Sequence, residues 1–128
     1  MNVLIVESQA DLAQLWKRHL SRHGACAAVA QSQAEAIAHL SHHDVDVVVL
    51  DLVISGGSAF AVADYASYRL PETRVIFVTS TSFFSDGSIF AHCVNACAYL
   101  RTNTPPEDLV AMVEHYGAVR PSRPCGAL

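Results

Sequence analysis

The segment Val47-Val48-Val49-Leu50 constrains the fold more than any other stretch of the chain. It is unbroken by polar residues, rich in β-branching, and ends abruptly at Asp51. A strand with one wet face alternates apolar and polar side chains, because successive residues point to opposite sides. An uninterrupted run therefore reads as a strand covered on both faces, the condition inside a parallel sheet flanked by helices. Similar runs recur at Val3-Leu4-Ile5-Val6, Val75-Ile76-Phe77-Val78 and Ala96 to Leu100, with a weaker one from Cys26 to Ala30.

The intervening segments carry helical signals. Leu12, Leu15, Trp16 and Leu20 recur at helical spacing, and Gly24 ends that helix. Ser32 with Glu35 three residues later forms a capping box ahead of Ala36, Ile37 and Leu40. Ser58 is placed to cap a helix that runs to about Leu70, where Pro71 breaks it. A further helix is expected around Ile89 and Phe90, starting late after Ser85-Asp86-Gly87-Ser88 and ending at Asn95. Pro105-Pro106-Glu107 opens a last helix with Leu109, Met112, Val113 and Tyr116 on one face. Strands alternating with helices imply an α/β fold, a doubly wound five-stranded parallel sheet with helices on both faces. The expected domain covers residues 1–117. Residues 118–128, with Pro121, Pro124 and Gly126, read as a flexible C-terminal tail.

Composition excludes several classes. The chain is 52% hydrophobic and only 16% charged, which is unlike a disordered segment. No apolar run approaches the roughly 20 residues of a membrane span. The first residues lack the basic and long apolar regions of a secretory signal, so a cytoplasmic protein is expected. The formal charge is −4 and no basic cluster is present, so neither nucleic acid nor an anionic membrane is an expected partner. Cys26, Cys93, Cys97 and Cys125 form no CxxC pair and read as small, reduced, buried or half-buried residues. His42-His43 reads as the exposed end of a helix, with no neighbouring cysteine or carboxylate at zinc spacing.

In doubly wound sheets, ligands bind beyond the carboxyl ends of the strands. The polar residues that end the apolar runs are Glu7 and Ser8, Asp51, Thr79 and Ser80, and Arg101 and Thr102. Val3 to Ser8, Val47 to Leu52, Val75 to Ser80 and Ala96 to Leu100, in this order and spacing, resemble response-regulator receiver domains over about residues 2–117. The resemblance implies a flavodoxin-like strand order 2-1-3-4-5. It implies that Asp51 accepts a phosphoryl group from a histidine kinase or phosphotransfer protein, with help from Mg²⁺. Thr79 matches the family's switch hydroxyl and Tyr99 its switch aromatic. Glu7, Asp51 and the backbone carbonyl of Val53 are the implied metal ligands.

The departures bear on the chemistry. Receivers usually carry two adjacent acids after the first strand, the second a direct metal ligand. Here that second position is Ser8, which weakens divalent binding because hard cations are held chiefly by charged oxygens. The usual lysine and proline after the fifth strand are Thr102 and Asn103. Thr102 offers a phosphoryl oxygen only a neutral hydrogen bond. Arg101 does not replace the lysine, because neighbouring strand residues point to opposite faces. The loop Val53 to Ala59 lacks the usual proline and late glycine. Losing an acid and the lysine together leaves the formal charge of the unliganded site unchanged.

Two functions are therefore open: a phosphoacceptor switch, and a pseudo-receiver that acts as a phosphorylation-independent interaction module. A flavin-binding role on the same architecture is disfavoured by the acids in Glu7 to Asp11, where a phosphate needs backbone donors. With no output domain in the sequence, signalling passes through a surface, to a downstream protein or a second copy. The expected face draws on Ile89, Phe90, Tyr99, Arg101, Glu107, Val110 and Glu114, centred on Tyr99 and Arg101.

Overall fold

The computed structural model describes residues 1–54, 56–79 and 96–117. Five strands are present: β1 (Asn2–Val6), β2 (Cys26–Ala30), β3 (Val47–Asp51), β4 (Arg74–Thr79) and β5 (Ala96–Arg101). Four described helices connect or follow them: α1 (Ala10–Arg22), α2 (Gln33–His42), α3 (Ala59–Arg69) and α4 (Pro106–Gly117). The expected helix around Ile89 and Phe90, Ser80, and the tail 118–128 lie outside the described residues.

The strands form one parallel sheet in the order β2-β1-β3-β4-β5. The apolar runs serve two cores at once. Leu4, Val6, Val48, Leu50, Val75 and Phe77 pack with Ala36 and Leu40 of α2 and Val62, Ala63 and Ala66 of α3. Their neighbours Val3, Ile5, Val47, Val49, Ile76 and Val78 point the other way, onto Trp16 and Leu20 of α1 and Leu109 and Val113 of α4. This double burial is why the runs show no polar alternation. Trp16 is buried in the second core.

Local signals explain where elements stop. Gly24 follows α1 with φ +87°, a conformation open to glycine without a Cβ clash. Ser32 accepts a hydrogen bond from the Glu35 backbone N–H at 3.2 Å, and Glu35 reaches back to the Gln31 N–H at 3.1 Å. Ser58 departs from expectation: its side chain caps nothing. Its backbone N–H instead donates to Gln33 Oε1 at 2.9 Å, tying the loop after β3 to the start of α2. Gly57 beside it has φ +154°, and a Cβ there would strike the Gln33 side chain. The loop thus uses a side chain from another element where the sequence suggests a local cap.

Three further expectations are corrected. Cys26 is half-buried but not a reduced thiol: it is disulfide-bonded. It starts β2, an edge strand, so its side chain is not sealed between layers. Val110 belongs to the α1–α4 core, 2% exposed, and is absent from the surface on which it was expected. Glu114 is exposed but pairs with His23 at the end of α1, at 3.4 Å, rather than facing β5. No helix among the described residues is long and apolar enough to cross a membrane.

Candidate functional site

Parallel pairing delivers the carboxyl ends of β1, β3, β4 and β5 to one edge of the sheet. Glu7 N–H donates to Ala30 O at 3.0 Å, which carries the β1–β2 ladder one residue past the strand. Asp51 ends β3 opposite Val78, and Leu52 N–H donates to Val78 O at 2.9 Å. Thr79 ends β4 opposite Arg101, and Thr102 N–H donates to Thr79 O at 2.8 Å. Glu7, Ser8, Asp51, Thr79 and Thr102 therefore share one end of the sheet, as the sequence reading requires.

Their exposures differ in a way that sorts them. Glu7 and Thr79 are each 1% exposed. Asp51, Ser8 and Thr102 are half-buried, at the boundary between core and solvent. The chain turns back sharply after Asp51, because Asp51 Oδ1 accepts the Val53 N–H at 2.8 Å. This bond fixes the carboxylate against its own loop. Val53 itself is 75% exposed. Arg101 is exposed. The backbone of Tyr99 pairs with Phe77, while its side chain lies outside the described residues.

Glu7 dominates the electrostatics. Both its carboxyl oxygens are buried with no hydrogen-bond partner. Burial, and then the neighbouring Asp51 carboxylate, push its pKa from 4.5 up to about 8, against a smaller lowering by the Ser8 N–H. The two carboxyls are close enough to interact, but no well-formed hydrogen bond joins them. A buried carboxyl without a partner costs about 1–3 kcal/mol, so its burial calls for a physical reason. Hard divalent cations take carboxylate and carbonyl oxygens. The buried, unpartnered Glu7 oxygens close to the Asp51 carboxylate fit such an ion.

Sequence reasoning missed Gln33, which holds Gly57 and Ser58 and so positions the loop after Asp51. No local signal marks it, because Ser58 lies 25 residues away.

A doubly wound 2-1-3-4-5 parallel sheet with helices on both faces defines a flavodoxin-like domain, here with two carboxyls and a buried threonine at its strand ends. The chain belongs to the response regulator receiver domain family, whose model matches residues 3–114. Among solved structures it is similar to a CheY-like receiver domain protein from Methanospirillum hungatei, with 18% identity, TM-score 0.84, and 92% and 94% of the two chains covered. It is similar to the non-phosphorylated HemR receiver domain from Leptospira biflexa, with 18% identity, TM-score 0.82, and 95% and 98% covered. It is also similar to the response regulator TrrA from Thermotoga maritima in complex with Mg²⁺ and BeF, with 21% identity, TM-score 0.78, and 90% and 97% covered. At these identities the likeness establishes the fold. No curated protein sequence matches the chain.

Proposed function

We propose that this receiver domain accepts a phosphoryl group on Asp51 from a histidine kinase or phosphotransfer protein, in the cytoplasm. It then signals through a protein surface rather than by turning over a substrate. The observation that carries this reading is the pair formed by half-buried Asp51 and the buried, unpartnered Glu7. Asp51 lies at the strand end with one oxygen anchored by the Val53 N–H, which orients the carboxylate for in-line attack on phosphorus. The P–O or P–N bond to the donor breaks as the Asp51 oxygen forms an acyl phosphate, and the donor leaves with the electron pair. Thr79 and Thr102 are the hydroxyls that would donate hydrogen bonds to the phosphoryl oxygens from the β4 and β5 ends.

Receiver domains generally use Mg²⁺, and TrrA was seen with Mg²⁺ and BeF. Glu7, Asp51 and the Val53 carbonyl would hold the ion here, with Ser8 adding at most a neutral oxygen. When bound, it would offset charge on the phosphoryl oxygens. The protein's own contribution is to keep Glu7 desolvated and ready to exchange its proton for that ion.

Two residues favour a second reading, the pseudo-receiver. Ser8 removes a charged ligand, and Thr102 puts a neutral group where receivers have a lysine. Beryllofluoride, a phosphoryl mimic, separates the two readings when titrated with and without Mg²⁺ and followed by NMR. The phosphoacceptor reading expects Mg²⁺-dependent shifts at Asp51, Val53, Thr79 and Thr102. An unchanged spectrum in both conditions supports the pseudo-receiver.

A further inference from the structure

The turn between β2 and α2 touches both carboxyl-bearing segments of the site. At its start, Ala30 O accepts the Glu7 N–H at 3.0 Å. At its end, Gln33, the first residue of α2, accepts the Ser58 N–H on Oε1 at 2.9 Å. The turn between these two contacts is itself held. Ser32 Oγ accepts the Glu35 N–H at 3.2 Å, and Glu35 Oε1 accepts the Gln31 N–H at 3.1 Å. Residues 30–33 thus form a brace from the segment of Glu7 to the loop that follows Asp51.

That loop needs bracing at its far end. Its near end is secured by the Leu52 N–H, which donates to Val78 O at 2.9 Å, and by Ile54, which is buried in the core under α2 and α3. The far end passes through Gly56 and Gly57, with φ +66° and +154°. Glycines accept these angles without strain but enlarge the set of conformations that an unanchored loop samples. The family's usual proline, which would stiffen the loop by fixing one φ, is missing here. The Ser58 side chain caps nothing, so the stiffening comes from another element. Gln33 holds the Ser58 N–H and lies against Gly57, where a Cβ would strike it. Between the two anchors is Val53, whose N–H donates to Asp51 Oδ1 at 2.8 Å.

We propose that Gln33 is a positioning residue for phosphoryl transfer. By bracing the Gly56–Gly57 joint from the β2–α2 turn, it keeps the Val53 N–H on Asp51 and holds the acceptor carboxylate in its attacking orientation. Gln33 exchanges no proton and makes no bond to phosphorus. The inference rests on the reading of Asp51 as the phosphoacceptor, because orientation has value only for a group that attacks.

The test uses the full chain carrying Gln33→Met or Gln33→Glu. Methionine matches glutamine in length and helix propensity but offers no oxygen to Ser58. Glutamate keeps an acceptor oxygen at the same reach. Amide–water exchange is read by NMR in the metal-free protein, with the Val49 amide in the middle of β3 as the control for global stability. In Gln33→Met the Ser58 and Val53 amides should exchange about threefold faster or more, with Val49 unchanged. Phosphorylation by acetyl phosphate and Mg²⁺ should slow about tenfold. Gln33→Glu should return both readouts to wild type. Faster exchange at Ser58 with Val53 unchanged overturns the proposal, as do equal losses in the two variants. A wild type that takes up no phosphoryl group counts against Asp51 as acceptor. The Val53 exchange in the same sample then still decides whether Gln33 positions its carboxylate.

Discussion

At the residue scale, Glu7 combines burial with the absence of a partner, and each property has a measurable consequence. Its pKa is raised from 4.5 to about 8 in the fold, so folding favours its protonated form. The stability this contributes is complete below about pH 4.5, falls as pH rises, and is lost above about pH 8. Glu7→Met keeps the length and removes the orphaned oxygens, so it should stabilise the metal-free protein by about 1–3 kcal/mol at pH 7. It should also flatten the fall in stability between pH 5 and pH 8, read from urea unfolding across that range. A wild-type curve already flat there would show that Glu7 is not a buried acid. The second residue-scale prediction concerns Ser8. Ser8→Asp restores a charged oxygen beside Glu7 and Asp51 and should tighten Mg²⁺ binding about tenfold or more by calorimetry. If affinity is unchanged while the wild type already binds at micromolar levels, position 8 does not face the ion.

At the element scale, two serines that look alike in sequence have different work. Ser32 accepts the Glu35 N–H and caps α2, so Ser32→Ala should destabilise the domain by about 1 kcal/mol. Ser58 engages Gln33 through its backbone, so Ser58→Ala should leave stability within about 0.5 kcal/mol of wild type. Equal losses from both would mean that Ser58 caps α3 after all. The proposed signalling face is narrower than its sequence outline, because Val110 is core and Glu114 faces α1. Arg101 and Glu107 are its exposed described residues. In a two-fold contact each substitution acts twice, so Arg101→Ala should shift any dimer toward monomer in light scattering. A wild type that is monomeric at high concentration, with no Arg101-dependent partner, removes this face from consideration.

At the scale of the whole molecule, what the sequence reveals is what depends on local periodicity. Val47 to Leu50 is apolar throughout because α2 and α3 cover one face and α1 and α4 the other, so strand, layer order and site edge follow from it. Asp51, Thr79 and Thr102 are legible for the same reason, as the polar ends of such runs. The burial of Glu7, the Gln33 clasp on the loop after β3, and the core position of Val110 depend on what packs across from each residue. Nothing within a few residues of them carries that information. The disulfide at Cys26 is of this kind too, since its half-buried edge position arises only once β2 joins the sheet.

The central claim is that Asp51 is a phosphoacceptor, and intact-mass measurement after incubation with acetyl phosphate and Mg²⁺ tests it most directly. The wild type should gain the mass of one phosphoryl group. Asp51→Asn should gain none, and wild type without Mg²⁺ should gain much less. A wild type that stays at its starting mass with any small phosphoryl donor, in protein shown by its thermal unfolding to be folded, would contradict the account.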